Sequence, residues 1–75
     1  MTYYPNPTQG KVQVSLGQVF EQINCQVINT LGEVIPIQVF ENKEQVQPVI
    51  SRATGLYFIR MTTDTGLEST LMILK

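Results

Sequence analysis

Histidine and tryptophan are absent from the 75-residue sequence, cysteine occurs once, and charged residues make up only 15%. Each shortage closes a class of chemistry. Without His, neither a Ser-His-Asp nor a Cys-His nucleophile can be assembled in this chain alone. A structural zinc site takes about four Cys or His ligands, and Cys25 is the sole candidate. Cys25 also has no disulfide partner. It lies on the apolar phase of Ile23-Asn24-Cys25-Gln26-Val27 with no cationic neighbour in sequence to lower its pKa. It is therefore expected to be a buried small hydrophobe. No apolar run approaches the ~18–20 residues of a membrane helix, so no direct span is expected. The formal net charge of -1 gives no electrostatic footprint for nucleic acid or an anionic membrane.

The acids are Glu21, Glu33, Glu41, Glu44, Asp64 and Glu68, scattered over turns and polar strand positions. A glycosidase needs two carboxyls flanking a cleft, and a calcium loop needs several acids at alternate positions. Neither pattern is present. Pro occupies the middle of Asn6-Pro7-Thr8, which removes it as a glycosylation acceptor. No enzyme, cofactor, metal or small-molecule substrate is expected.

What is abundant sets the fold class. Val (8), Ile (7) and Thr (8) supply 23 of the 75 residues, while Ala appears once, at Ala53. β-branched side chains are stiff at χ1 and pack well on a pleated surface. Turn signals recur every ~8–12 residues, the rhythm of a sandwich. The expectation is a single all-β domain over residues 1–75, a small Ig-like antiparallel β-sandwich of six or seven short strands. A domain of this size buries a little over ~60% of its unfolded surface, so the core will be thin.

Along the chain, Tyr3-Tyr4-Pro5-Asn6-Pro7-Thr8-Gln9-Gly10 reads as turn chemistry. Lys11 to Leu16 alternates, with Val12, Val14 and Leu16 on one face, and Gly17 ends that strand. Gln18 to Gln22 reads as a connection, with Val19 and Phe20 capping the core. Ile23 to Asn29 is the next strand, turned at Asn29-Thr30-Leu31-Gly32 into a third over Glu33 to Phe40. Pro36 cannot donate to a ladder, which places that strand at an edge or at a bulge. Glu41 to Glu44 reads as a charged loop, and Gln45 to Ile50 as a short edge strand containing Pro48. After a turn over Ser51 to Gly55, Leu56 to Thr62 is the strongest strand, with Tyr57, Ile59 and Met61 on one face. Thr63-Asp64-Thr65-Gly66 is a hairpin loop, and Leu67 to Leu74 closes the sheet.

Four of these segments, in order, carry a resemblance: Tyr4-Pro5-Asn6-Pro7-Thr8-Gln9-Gly10, Asn29-Thr30-Leu31-Gly32-Glu33-Val34, Ala53-Thr54-Gly55-Leu56-Tyr57-Phe58-Ile59-Arg60-Met61, and a last strand closing at Lys75. Over essentially its whole length the chain resembles the type A C-terminal sorting domain of the type IX (Por) secretion system of Bacteroidetes. Ser69 and Thr70 stand where members often carry basic residues. The resemblance implies a sandwich domain at the end of a protein that enters the periplasm by an ordinary signal peptide. The outer-membrane translocon then recognises the folded domain, and a cell-surface sortase usually removes it. The cargo ends at the cell surface or outside the cell. The beginning of the chain lacks signal-peptide character, and Met1 is expected to open a fragment of a longer secreted protein.

The motif positions are Pro5, Asn6, Pro7, Gly10, Asn29, Gly32, Gly55, Tyr57 and Lys75. The prolines and Gly10 are expected to turn the incoming chain onto the first strand. Gly32 and Gly55 are expected to supply positive φ. Tyr57 is expected to pack in the core, its phenol free to bond a loop carbonyl as a tyrosine corner does. Lys75 is the leading candidate for recognition by a partner, with a solvated terminus as the alternative. The alternative function is a carbohydrate- or protein-binding β-sandwich module of a cell-surface enzyme, ranked second because the aromatic platform would rest on Tyr3, Tyr4 and Phe alone. A structural Ig-like spacer ranks third. Exposed edges leave room for a dimer or a strand swap in a crystal.

Overall fold

Five antiparallel strands build the domain: β1 (Thr2–Tyr4), β2 (Gln13–Asn29), β3 (Val34–Val46), β4 (Leu56–Thr63) and β5 (Glu68–Leu74). The structure is a computed structural model that describes residues 2–5 and 7–75, without the side chains of residues 36 and 37. Among the described residues there is no helix, as the β-branched composition predicts. All five strands join one hydrogen-bonded sheet. β2 is its spine, with β3 along one side and β1 and then β4 along the other; β5 lies beyond β4.

A flat sheet leaves both faces accessible, yet Val14, Ile23, Cys25, Val27, Ile59 and Ile73 are fully hidden from solvent. The sheet achieves this by folding over itself. Its bend is written in the alternation of β2. Inward positions run on even numbers at Val14, Leu16 and Phe20, then on odd numbers at Ile23, Cys25 and Val27. A strand turns successive side chains to opposite faces, so a change of parity requires a break in the pleat. The break is present: between Ser15 and Phe20, five steps along β2 match only two along β3, from Gln45 to Lys43. Gly17 on β2 and Asn42 on β3 both take positive φ there, 85° and 53°. Both halves thus present their apolar phase to one core, which also takes in Tyr57, Met61, Leu71, Val46 and Ile50.

The expected faces Val12-Val14-Leu16, Ile23-Cys25-Val27 and Tyr57-Ile59-Met61 all point inward. Pro36 lies in an edge strand, and two steps of β2 from Cys25 to Val27 oppose three of β3 there, so edge and bulge occur together. Five expectations need correction. Tyr3-Tyr4 belongs to β1, which pairs with β2 at Val14 and Gln13, rather than to a turn. Gly17 does not end its strand and residues 41–44 are not a loop. Each chain stays extended across its bend because the other one pairs with it, so six or seven short strands become two long bent ones and three short ones. Val19 does not cap the core; it is 62% exposed, and Phe20 alone turns inward. Residues 47–50 form no regular strand, with Val49 bridging only Lys11, and Pro48 is buried with its carbonyl accepting from Val12 N–H at 3.1 Å.

Candidate functional site

The motif segments, far apart in sequence, meet at one end of the folded sheet. Thr8, buried, starts the junction. Its N–H donates to the Leu74 carbonyl at 2.8 Å, its hydroxyl donates to the Lys11 carbonyl at 2.7 Å, and the same oxygen accepts from Gly10 N–H at 3.1 Å. This Ser/Thr-type turn swings the incoming chain from the rim of β5 onto β2. The Gly10 carbonyl then accepts from Ile50 N–H at 2.6 Å.

The last residue of the sequence closes the junction. Lys75 and Gly55 exchange both backbone bonds, each 2.9 Å, which extends the β4–β5 ladder by one pair. The Lys75 ammonium donates to the Ile50 carbonyl at 2.8 Å and to the Arg52 carbonyl. Its charge thus fixes the 50–55 turn, since carbonyls facing an ammonium make charge-assisted bonds stronger than neutral ones. The Tyr57 hydroxyl donates to the Ala53 carbonyl at 2.5 Å while the ring is buried. This is the corner-type bond that the sequence suggested, reaching back four residues.

Gly10 is the tightest point. Its φ is 137°, and a Cβ there would stand 3.1 Å from the Ile50 carbonyl oxygen and 3.5 Å from Cε of Lys75. Gly10→Ala is therefore expected to destabilise by about 1–3 kcal/mol through backbone strain and crowding. A urea midpoint equal to that of the unsubstituted chain would contradict this role.

The Asn29 turn stands across a cleft from this junction. The Asn29 side-chain oxygen accepts from the N–H groups of Leu31 and Glu33, both at 2.9 Å, and its amide donates to the Glu33 carboxylate at 3.0 Å. Gly32 follows at φ 83° and donates to the Asn29 carbonyl at 3.0 Å, as a turn with a left-handed residue demands. The cleft, about 360 Å³, is lined among others by Asn29, Glu33, Ile35, Arg52, Ala53 and Tyr57. Gly10, Gly55, Tyr57 and Lys75 are thus brought together, with Asn29 and Gly32 opposite. Pro5 and Pro7 are exposed; Pro5 shares a shallow hollow with Tyr4, Lys11 and Gln13. Asn6 lies outside the described residues. Sequence reasoning passed over Thr8 and Ile50. A Thr two residues before a Gly after two prolines was the available signal for the first; the second contributes only backbone atoms.

Cys25 is fully buried, and burial pushes its thiol up from 9.0 to about 11. A thiol with a higher pKa when folded keeps its proton longer than the unfolded chain does. Its contribution is complete below pH 9 and is lost as pH rises from 9 to about 11, on the order of 2–3 kcal/mol. Stability should fall less over that window in Cys25→Ala; parallel pH profiles would contradict the assignment. Among the described residues no group of three or more His, Cys, Asp or Glu is placed to hold a metal.

The family model described as "Secretion system C-terminal sorting domain" matches residues 2–75. The chain belongs to that family. No curated protein and no solved structure matches it. The matched range includes every segment that meets at the junction. This sorting domain is a signal for type IX secretion, and its family is not an enzymatic one. A protein that carries it is secreted, to the cell surface or beyond, through interaction with the type IX machinery, a system of Bacteroidetes.

Proposed function

We propose that residues 1–75 are one domain at the end of a larger exported protein, and that the translocon engages it as a folded body. The parent reaches the periplasm by its own signal peptide, the translocon takes it across the outer membrane, and a sortase then cuts the domain away. One observation supports reading by shape. The motif positions Gly10, Gly55 and Lys75 lie 45 and 20 residues apart in sequence, yet they are joined by direct bonds or close approach at one end. Short peptides do not present such an arrangement; only the fold does.

In this reading Pro5, Pro7 and Gly10 lead the cargo into the junction. Asn29 and Gly32 shape the opposite wall, while Tyr57 and Lys75 hold the 50–55 turn. The removal step is tested by mass. A passenger carrying the domain is expected outside the cell shortened by the domain's 8.5 kDa. Full-length fusion as the only external species would overturn removal by a sortase while leaving sorting intact.

A further inference from the structure

The outer face of the sheet, turned away from the core, is divided along its length. Register places Val34, Ile28, Phe58 and Met72 side by side on β3, β2, β4 and β5, with the pair Leu56 and Leu74 in the next row. All six are apolar. One step the other way, the same face reads Gln26, Arg60 and Thr70 on β2, β4 and β5, and then Asn24, Thr62 and Glu68, with Val39 of β3 beside Asn24. Val34 and Met72 are 56% and 58% exposed, Leu74 50% and Leu56 37%. A sheet face open to water normally carries polar residues in its outward phase, as β2, β4 and β5 do in the second half of this face. Between Val34 and Met72, Ile28 and Phe58 are half-buried, and contiguous apolar rows that reach the solvent in this way mark interaction surfaces.

We propose that this apolar end of the outer face is the surface by which the domain docks, transiently, on an uncharged apolar protein surface of the secretion machinery. The proposal rests on the reading that the machinery engages the folded domain. Two features choose the occupant. The first is charge. The rows themselves carry none, and beside them Arg60 and Glu68 neutralise each other, with Nη2 to Oε1 at 2.5 Å. Lys75, next to Leu74, gives its ammonium to the Ile50 and Arg52 carbonyls, and the single charge of Arg52 in the cleft beside Val34 is worth only about 1 kcal/mol to an anionic lipid surface. The second is area. Four strands at ~4.8 Å spacing make a patch about 15 Å wide and two rows deep. That is well short of the ~800 Å² per partner that a stable dimer buries. A second copy would therefore be held poorly, whereas a translocon that must release its cargo needs only a brief contact. The patch also adjoins the end where Gly55 and Lys75 meet, because Leu56 and Leu74 are their chain neighbours.

The test places the 75-residue chain on an inert periplasmic passenger in a type IX host and compares Met72→Lys, Val34→Lys and Thr70→Lys. Thr70 is exposed on the same face and strand as Met72 but in the polar half. Met72→Lys and Val34→Lys are expected to lower external passenger at least tenfold, and Thr70→Lys to leave it unchanged. The melting temperatures of the three variants should agree with that of the unsubstituted chain. Normal export of Met72→Lys and Val34→Lys beside an exported unsubstituted fusion overturns the docking surface alone. Retention of the unsubstituted fusion overturns the sorting reading and the surface with it. If either Lys variant melts early, Met72→Gln replaces it, and normal export of that variant counts equally against the surface. Binding to neutral phosphatidylcholine vesicles, or a dimer in gel filtration, that Met72→Lys abolishes would overturn the choice of partner.

Discussion

Removal of residues 67–75 is expected to leave a chain with no cooperative unfolding transition and a parent protein that is not exported. The segment supplies β5, which pairs with β4 over the whole register from Leu56↔Leu74 to Thr62↔Glu68. Its loss strips Leu71 and Ile73 from the core and uncovers their cross-strand neighbours Ile59 and Tyr57. It also removes the Leu74 carbonyl that holds Thr8, and every bond that Lys75 makes to Gly55, Ile50 and Arg52. Two buried aliphatic side chains alone represent about 3–6 kcal/mol of transfer free energy. A domain of this size has a total stability of only about 4–11 kcal/mol. Export at the normal level by the truncated protein would contradict the account, as would a sharp melting transition in the truncated chain.

Ile23→Ala is the second large effect, and it separates a folded signal from a linear one. Ile23 belongs to none of the motif segments. It is fully buried on β2 where that strand leaves its bend, opposite Phe40 on one side and Thr63 on the other. Truncating such a side chain costs about 2–5 kcal/mol, the lost transfer term plus the cavity left behind. In a thin core that is a large share of the total. The variant is expected to unfold at a much lower urea concentration, and export of its parent is expected to fall with the folded fraction. A destabilised variant that is still exported as before would mean that the machinery reads the motif residues as sequence.

The two strands around Ile23 show what the sequence could reveal. Alternation is a local signal, so the inward phases of 12–16, 23–27 and 57–61 were legible residue by residue. The continuity of β2 and β3 was not. Gly17 and the charged run at 41–44 look like chain breaks by residue type, and locally they are, since both places leave the regular pleat. What keeps the chain extended through them is the strand opposite, a tertiary effect that residue type cannot carry. β1 escaped for the same reason: two tyrosines beside prolines read as a turn until β2 offers an edge. Pro48 suggests an edge strand because it lacks a donor; in the fold its ring is buried and its carbonyl accepts from Val12 N–H.

The site was legible in its parts and not in its assembly. The order of the motif segments could be read directly, and so could the need for a turn at Asn29-Gly32. That the Lys75 ammonium faces two carbonyls of the 50–55 turn could not. Backbone carbonyls have no sequence identity, and the contact spans 25 residues to Ile50. Lys75 looked like a solvated or partner-facing charge because nothing near it in sequence could accept its protons. The fold supplies the acceptors. The division of the outer face was equally hidden, since Val34, Ile28, Phe58 and Met72 become neighbours only through register.

The most direct measurement fuses residues 1–75 to a fluorescent protein that folds in the periplasm of a type IX host and locates the fluorescence. The account predicts that most of it reaches the medium or the cell surface, and that the Ile23→Ala fusion stays behind. Fluorescence confined to the periplasm for both fusions would contradict it.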